Sequence, residues 1–294
     1  HKIGQAIAEE AIAYQVSIVL GPGVNIKRNP LCGRNFEYIS EDPYLAGKMA
    51  ADFIRGAEEK GVATSLKHFA GNSQETKRFT SDSVIDERTL REIYLTAFEI
   101  AVKEGRPKTV MCAYNKLNGI HCSDHKKLLT DVLRDEWGHQ GIVVTDWGAM
   151  NDRIEGFKAG CDLSMPGGSD YMEADVANAV RSGALEEAVI DENVDRMIDL
   201  ILQSAARLQK DAAFDQKAHH ELAKAAAGEG IVLLKNKDNI LPLQEGTKVA
   251  LVGKMAEKIR YQGAGSSHIN PTKLTQPKNV ISHTAFAVGC DERG

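Results

Sequence analysis

The chain has 294 residues, of which 43% are hydrophobic and 26% charged, a composition typical of a globular protein with one large domain or two unequal ones. Its formal net charge of -5, with lysine and arginine scattered along the sequence, excludes the basic surface that nucleic-acid binding requires. The longest apolar runs, such as Val16–Leu20, are far too short to span a bilayer. We therefore expect a soluble, cytoplasmic protein with neither nucleic acid nor a membrane as a partner.

The cysteines indicate neither a metal site nor a disulfide framework, because they are widely spaced, odd in number and without a CxxC pair. We expect buried, reduced thiols at Cys32, Cys112, Cys122, Cys161 and Cys290. No GxGxxG motif and no GxxxxGK motif ending in Ser or Thr follows a predicted strand. The sequence therefore predicts no metal and no cofactor, and an enzyme acting on phosphorylated substrates is the least favoured interpretation.

Strand and helix patterns alternate along the first two thirds of the chain. A helix over Glu41–Lys60 follows Ser40, its predicted N-cap, and an amphipathic helix over Arg88–Glu104 ends at Gly105. This alternation predicts parallel strands covered by helices, as in a (β/α) barrel or an open doubly wound sheet. The other predicted elements are strands at Val16–Leu20, Ala63–Phe69, Thr109–Tyr114, Gly141–Asp146 and Cys161–Met165, and helices at Lys126–Trp137 with Ser123 as its cap, Asn151–Lys158, Tyr171–Arg181 and Ile190–Lys210.

A second α/β unit is predicted after a polar connector near Lys210–Lys217. It contains a helix over Gln216–Gly228, strands over Ile231–Leu234 and Lys248–Gly253, and then a loop rich in glycine and serine at residues 261–271. The remaining sequence is too short for a self-sufficient domain, since strands need neighbours and a core. His1 also opens directly into helical sequence, so we interpret the chain as a fragment.

The predicted strand Gly141–Asp146 ends abruptly at a carboxylate, an indole and a glycine. In parallel α/β proteins the catalytic residues follow the carboxyl ends of the strands, which is where Asp146 lies. The alternative is that Asp146 caps the following helix, and position alone favours that role. The motifs that accompany Asp146 favour the catalytic role over the helix-capping role.

Four motifs occur together in a characteristic order and spacing. They are Gly33-Arg34-Asn35-Phe36-Glu37-Tyr38 with Ser40-Glu41-Asp42-Pro43, Lys67-His68-Phe69-Ala70-Gly71-Asn72, Met111-Cys112-Ala113-Tyr114-Asn115 and Thr145-Asp146-Trp147-Gly148. In these motifs the chain resembles the glycoside hydrolase family 3 β-glucosidases over essentially its whole length. The resemblance implies an α/β fold in which residues 1–210 form a (β/α) TIM-like barrel lacking its N-terminal strand or strands. Residues 211–227 would form a linker and helix, and residues 228–294 the start of an α/β sandwich domain.

The resemblance also implies roles for individual residues. Asp146 matches the nucleophile of the family, and Trp147 matches a platform beside it. Ser266, in the second unit, matches a further and weaker sugar contact. Met111 and Trp147 would supply apolar walls for the C–H faces of a sugar, or would simply belong to the core. The residues that match the sugar-binding positions nearest the nucleophile are Arg34, Lys67, His68, Arg78, Met111 and Tyr114.

Retaining glycoside hydrolysis needs an ionised carboxylate that attacks the anomeric carbon and a protonated one that releases the leaving group. Asp146 must therefore stay charged. Lys67 and Arg78 would favour its anionic form, and their N–H groups suit the hydroxyls of a sugar. Tyr114 can donate a hydrogen bond to Asp146. We interpret Glu37 as a structural partner of a local arginine or a backbone amide rather than as the acid.

The pair Lys67-His68 sets a condition on the backbone. Adjacent residues of a regular strand point to opposite faces, whereas the resemblance places both side chains at the sugar. We therefore predict that the strand becomes irregular after Leu66, through a bulge or a non-proline cis peptide, so that both side chains face the site.

The sequence also departs from the family pattern at two places. The acid/base glutamate would lie beyond Gly294, so we expect these residues alone to be inactive toward ordinary glycosides. The loop after Asn72 contains no histidine, unlike that of the N-acetylhexosaminidases of the family, which argues against an acetamido sugar as substrate.

Together these patterns predict a retaining exo-β-glycosidase that forms a covalent glycosyl-Asp146 intermediate. A β-glucosidase acting on a small β-glucoside or short oligosaccharide is the favoured interpretation. A β-xylosidase of the same family is one alternative. A carbohydrate-binding protein without catalytic function is another, and homo-oligomerisation is left open.

Overall fold

The computed structural model of the chain describes residues 1–207, 209–263, 265–281 and 284–289. The chain divides by its internal contacts into two units, His1–Lys224 and Ala225–Gly294. Leu208 of the predicted helix Ile190–Lys210, Ala264 of the Gly/Ser-rich loop and Cys290 lie outside the described residues.

A parallel sheet forms the centre of the first unit. Its strands lie side by side in the order of the chain, and Val144 adds a parallel bridge to Leu163 beyond the last of them. Consecutive strands as neighbours are the arrangement of a (β/α) barrel wall, whereas a doubly wound sheet reverses its strand order. The strands are Ile18–Val19, Ala63–Phe69, Thr109–Cys112 and Ile142–Thr145.

The predicted strand Ala63–Phe69 is confirmed with the same bounds. The predicted strand Cys161–Met165 is wrong, because the segment forms one isolated bridge to the sheet, at Leu163, and no continuous ladder. The carbonyls of Cys161 and Asp162 accept hydrogen bonds from the guanidinium of Arg153 instead of from a neighbouring strand. The side chain of Arg153 therefore makes the hydrogen bonds that a neighbouring strand would otherwise make.

Helices cover the sheet, and two predicted N-caps are wrong. The helix Pro43–Glu59 is capped by Asp42, whose carboxylate accepts from the N–H of Tyr44 at 2.9 Å, while Ser40 only accepts from the N–H of Asp42. Ser123 donates to Asp124 and caps no helix. The helical segments are Lys2–Ala13, Pro43–Glu59, Glu87–Thr89, Leu90–Tyr94, Thr96–Ile100, Ala101–Gly105, Cys122–Asp124, Lys127–Glu136, Arg153–Ala159, Asp170–Arg181, Glu187–Ala205 and Gln216–Gly230.

The two faces of the sheet have different roles, since side chains alternate along a strand. Leu66, Val110 and Val143 belong to the main core, together with side chains from the helices. Met111 lies in register with Lys67 on one side and Val144 on the other, so these three share the opposite face. Asp146 follows Thr145 at the carboxyl end of the last of these strands.

Smaller features complete the first unit. Three two-residue strands, Asp82–Ser83, Lys116–Leu117 and Ile120–His121, form a separate small sheet. The thiols of Cys112, Cys122 and Cys161 are free and buried, as predicted, but Cys32 is only half-buried because it lies in a surface loop.

The described residues of the second unit form one pair of parallel strands, Val249–Val252 and Thr284–Ala287. Strand Val249–Val252 confirms the prediction over Lys248–Gly253 within one residue at each end. The predicted strand Ile231–Leu234 is wrong, since the described residues provide it with no pairing partner and its side chains are exposed. Short helical turns occur at Lys237–Asn239, Lys254–Ala256, Gly265–Ser267 and Pro277–Val280. In the described parts of both units, no helix combines the length and apolar character that crossing a membrane would need.

Asp162 is a fully buried carboxylate held by two arginines. It accepts hydrogen bonds from Arg134 at 2.7 Å, from Arg196 at 2.8 Å and from the backbone N–H of Val143 at 2.6 Å. Arg134 lies on the helix Lys127–Glu136 and Arg196 on the helix Glu187–Ala205, so this carboxylate ties two helices to the sheet.

We predict that Asp162→Asn destabilises the first unit by about 3 kcal/mol, because it leaves two largely covered guanidinium groups without their anion. Urea unfolding followed by circular dichroism measures the loss. The matched control is Glu155→Gln, which removes an exposed partner of Lys158 and should cost no more than about 0.5 kcal/mol. Equal stability of the two variants would contradict the structural role of Asp162.

His219 joins the helix Gln216–Gly230 to the first helix of the chain. Its ring lies between the carboxylates of Glu10, at 2.8 Å, and Glu9, at 3.2 Å. Burial acts to lower the pKa of His219, but the hydrogen bonds and charges of Glu10 and Glu9 outweigh it, and the pKa is raised. Because the folded pKa exceeds the unfolded one, this stabilisation is complete below about pH 6.5 and is lost as the pH rises through the folded pKa.

We predict that His219→Gln lowers Tm by roughly 2 °C at pH 5.5 and has no effect at pH 9. Differential scanning calorimetry at the two pH values measures the difference. His220→Gln, on the same helix, is the control and should lower Tm at pH 5.5 by less than His219→Gln does. An equal decrease in Tm at both pH values would show that His219 stabilises the fold through packing and not through its charge.

Candidate active site

Asp146 follows the strand Ile142–Thr145 directly and is 8% exposed. Its Oδ1 accepts a hydrogen bond from the backbone N–H of Trp147 at 2.8 Å. Its Oδ2 lies 3.5 Å from both Nη1 of Arg34 and Nε2 of His68. One oxygen is therefore fixed by the backbone, while the other faces side chains that belong to other strands and loops.

The helix-capping alternative for Asp146 is wrong. The next helix begins at Arg153, and its N-cap is Asp152, which accepts from the backbone N–H groups of Ile154 and Glu155. The backbone N–H bonded to the Asp146 carboxylate is that of Trp147, which does not belong to this helix. The carboxylate is thus not needed by the helix and is available for chemistry.

The predicted irregularity after Leu66 is confirmed. The Lys67–His68 peptide bond is cis, and the pairing with the strand Thr109–Cys112 shifts in register between Lys67 and Phe69. Phe69 lies in the core, whereas Lys67 and His68 both face the site, where Lys67 pairs with Glu37 and His68 lies near Asp146.

Glu37 links two of the predicted sugar-binding cations, which confirms its interpretation as a structural partner. Its Oε1 accepts from Nε of Arg34 at 2.5 Å and its Oε2 pairs with Nζ of Lys67 at 3.0 Å. Burial acts to raise the pKa of Glu37, but the hydrogen bond from Arg34 and the charge of Lys67 outweigh it, and the pKa is lowered. Glu37 therefore remains an anion and is unsuited to act as a proton donor.

His68 has hydrogen-bond partners at Nδ1 and at both of its backbone groups, and its ring is uncharged. Its Nδ1 lies 3.0 Å from the hydroxyl of Tyr38, and its backbone N–H and C=O both bond to the side-chain amide of Asn25. Burial, together with the positive charges of Arg34, Lys67 and Arg78, holds the pKa of His68 well below its usual value. The imidazole is neutral at physiological pH.

Tyr114 and Arg78 form the side of the site next to Asp146. The guanidinium of Arg78 lies 4.4 Å from the centroid of the Tyr114 ring and pairs with Glu75 at 2.8 Å. Burial, and after it the charge of Asp146 and a hydrogen bond to it, raises the pKa of Tyr114 to about 12. Tyr114 is therefore a protonated hydrogen-bond donor to Asp146. Phe79 packs on Tyr114 with a centroid distance of 4.4 Å and remains half exposed.

The structure separates the two apolar candidates. Met111 is 2% exposed, on the sheet face shared with Lys67, whereas Trp147 is 42% exposed and is not part of the core. Ser266 lies in the second unit, in the turn Gly265–Ser267. Among the residues that the structure describes, no group of three or more His, Cys, Asp or Glu side chains could hold a metal ion.

Sequence reasoning missed Tyr38, Asn25 and Asn72 as members of this site. Tyr38 belongs to the same motif as Arg34, and Asn72 to the same motif as His68. This closeness in the sequence is a signal that could have identified both residues. Asn25 lies in an irregular loop and belongs to no motif, so only the three-dimensional structure identifies it.

The assembled residues form a buried anion next to a cation, a neutral imidazole and a phenol, with further N–H donors nearby. Such a carboxylate can attack an electrophilic carbon, and donors of this kind can bind the hydroxyls of a polyol.

Comparison with known proteins agrees with this chemistry. Residues 1–200 match the glycosyl hydrolase family 3 N terminal domain, and residues 231–287 match the C-terminal domain of that family. The chain is 53% identical over 273 residues to thermostable beta-glucosidase B from Acetivibrio thermocellus, a match covering 93% of this chain and 36% of that protein. It is 52% identical over 285 residues to an exo-alpha-(1->6)-L-arabinopyranosidase from Bifidobacterium longum, covering 94% and 37%.

Among solved structures, beta-glucosidase 3B from Thermotoga neapolitana in complex with glucose is similar, with a TM-score of 0.88 at 44% identity. The match covers 92% of this chain and 39% of that one, so the chain spans less than two fifths of the length of each of these three proteins. The N-terminal domain of such β-glucosidases is a TIM-like barrel, in agreement with the consecutive parallel strands of the first unit. The motifs, the fold and the similarity over nearly the whole chain lead to one conclusion: the chain belongs to glycoside hydrolase family 3.

Proposed function

We propose that the chain carries the nucleophile and most of the sugar-binding groups of a retaining β-glucosidase. The observation that carries this proposal is the environment of Asp146, a buried carboxylate at a strand end with one oxygen bonded to a backbone N–H. Its other oxygen is shared between a cation and a neutral ring. The similarity to named β-glucosidases supports the same assignment.

In the proposed reaction Oδ2 of Asp146 attacks the anomeric carbon, and the bond to the aglycone oxygen breaks as the new ester bond forms. The leaving oxygen takes a proton from a general acid, and water later hydrolyses the glycosyl ester with retention of configuration. Arg34 lies 3.5 Å from the attacking oxygen, so it makes no tight hydrogen bond to that oxygen. The N–H of Trp147 fixes the rotation of the carboxylate through Oδ1.

The surrounding donors suit the hydroxyl groups of one sugar ring. We assign Lys67, His68, Arg34 and Arg78 to hydrogen bonds with these hydroxyls, and Tyr114 to orienting Asp146. We further assign Met111 and Trp147 to the C–H faces of the sugar, and we keep for Ser266 the weaker sugar contact that the sequence resemblance implies. The partner is thus a small-molecule β-glucoside or a short oligosaccharide.

Covalent labelling tests the nucleophile within the chain itself. A 2,4-dinitrophenyl 2-deoxy-2-fluoro-β-glucoside has a leaving group that needs little protonation, so the first step does not depend on a general acid. We predict one added fluoroglucosyl group in the intact mass, located on Asp146 by peptide mapping. Asp146→Asn should abolish labelling, because the amide cannot attack, and in an active enzyme it should lower kcat by several orders of magnitude.

The matched control for this experiment is Asp152→Asn. Asp152 follows the same strand but caps a helix, so its substitution should leave labelling unchanged. Labelling that persists in Asp146→Asn, or that maps to another residue, would contradict the assignment. Tight sugar binding without any covalent adduct would favour a carbohydrate-binding protein without catalysis.

The sugar preference follows from the loop after Asn72, which lacks the histidine of the acetamido-sugar branch. We predict that dinitrophenolate is released fastest from the β-glucoside, and at least about tenfold more slowly from the β-N-acetylglucosaminide, since the site has to accommodate a bulkier 2-substituent. The β-xyloside and the α-L-arabinopyranoside are the informative competitors, the latter because of the named relative. Preference for the acetamido sugar would overturn the proposed substrate class.

A further inference from the structure

His68 has one nitrogen whose hydrogen-bonding role the structure leaves open. Its ring is 1% exposed, and its Nδ1 lies against the hydroxyl of Tyr38 at 3.0 Å. Its Nε2 is buried and has no hydrogen-bond partner among the described residues, although Oδ2 of Asp146 is only 3.5 Å away. The state of this nitrogen determines whether the ring donates or accepts hydrogen bonds in the site.

We propose that Tyr38 holds His68 in the tautomer that carries its proton on Nε2, and that Asn25 fixes the backbone from which the ring extends. The inference rests on the proposed function, in which His68 binds a sugar hydroxyl next to Asp146. Tyr38 and Asn25 act through His68, so both are positioning residues.

Electrostatics around Nε2 favour this tautomer. A neutral imidazole has one N–H donor and one lone-pair acceptor. With the proton on Nε2, the N–H dipole faces the carboxylate of Asp146, which is attractive. With the proton on Nδ1, the lone pair of Nε2 would face that same carboxylate in a buried environment, which is repulsive.

The hydroxyl of Tyr38 supports the same tautomer from the other side of the ring. Tyr38 is 3% exposed, and burial raises its pKa, so the phenol keeps its proton. That proton has two acceptors within reach, Nδ1 of His68 at 3.0 Å and the carbonyl of Asn72 at 3.4 Å. The shorter contact is to Nδ1, and the amide of Asn72 donates to the same phenol oxygen at 3.4 Å. In the proposed network the phenol donates to Nδ1 and accepts from the amide of Asn72, which leaves the imidazole proton on Nε2.

The position of Tyr38 is itself fixed by close packing. Gly23 forms parallel bridges to both Tyr38 and Lys67, and a Cβ atom at Gly23 would lie 2.9 Å from Cδ1 of the Tyr38 ring. The ring of Tyr38 meets the ring of His68 edge-on, with a centroid distance of 5.9 Å. Only glycine at position 23 allows the phenol to approach His68 so closely.

Asn25 fixes the backbone of His68 with two hydrogen bonds. Its Oδ1 accepts from the N–H of His68 at 2.8 Å, and its Nδ2 donates to the C=O of the same residue at 2.9 Å. Asn25 and His68 are both buried, so the two bonds form in a low-dielectric environment. The imidazole thus extends from a fixed backbone and is oriented at its far end by a fixed phenol.

The tautomer can be measured directly in the free protein by long-range proton–nitrogen correlation NMR of the full chain labelled with nitrogen-15 in histidine. His68 is assigned by the signal that disappears in His68→Gln, and independently by triple-resonance methods. We expect the pattern of an Nε2–H imidazole at neutral pH. A proton on Nδ1, or an equal mixture of both tautomers, would overturn the proposal.

Tyr38→Phe tests the role of the phenol, since it removes one hydroxyl and keeps the ring. We expect the Nδ1 signal of His68 to move toward that of a tautomer mixture, and the rate of fluoroglucosyl labelling to fall about tenfold. The control is Tyr94→Phe, which removes the buried hydroxyl that accepts from Arg28 and should change neither quantity. An unchanged His68 spectrum in Tyr38→Phe would overturn the role of Tyr38.

Incorporation of 3-fluorotyrosine provides a second test that keeps every side chain in place. A more acidic phenol donates a stronger hydrogen bond, so the Nδ1 signal of His68 should shift, and an unshifted signal would contradict the proposal. The spectra do not depend on catalysis. Failure of Asp146 labelling with the expected tautomer intact would refute the proposed function alone, whereas normal labelling with the other tautomer would refute only this inference.

Discussion

The site depends on the compensation of one buried negative charge. A carboxylate that is removed from water loses its hydration, and it stays ionised only if charges and hydrogen-bond donors replace that hydration. Around Asp146 the replacements are the backbone N–H of Trp147, the guanidinium of Arg34, the ring of His68 and the hydroxyl of Tyr114. Each donor comes from a different segment of the chain, so the segments must meet before the anion can be accommodated.

The same requirement explains why the site contains a second carboxylate that does no proton transfer. Arg34 and Lys67 would repel each other if they stood alone beside a single anion. Glu37 lies between them, with distances of 2.5 Å and 3.0 Å, and converts this repulsion into two ion pairs. The cations are thereby fixed in position without a ligand, which would reduce the ordering cost of the proposed sugar binding. His68 contributes no further positive charge, because it is neutral.

The sequence predicted the parts of the fold that depend on repeated patterns and missed those decided by a single contact. The strand Ala63–Phe69 followed from its apolar pattern. Its irregularity after Leu66 followed from the family resemblance, which implies that Lys67 and His68 both face the site. The choice between Ser40 and Asp42 as N-cap depends on the path of a few backbone atoms, which no periodicity records. Ile231–Leu234 has strand propensity, but propensity cannot replace a pairing neighbour. Asn25 acts through its position alone, and its surroundings in the sequence give no sign of it.

The pair formed by Arg34 and Asp146 joins residues that are 112 positions apart in the chain. Contacts of such large sequence separation require the closure of a long loop, and their entropic cost is met only after the intervening strands and helices have formed. The chemistry of this chain is thus coupled to the last steps of its folding rather than to any local element. A partly folded chain with native strands and helices would still lack the contacts of Asp146 with Arg34 and His68.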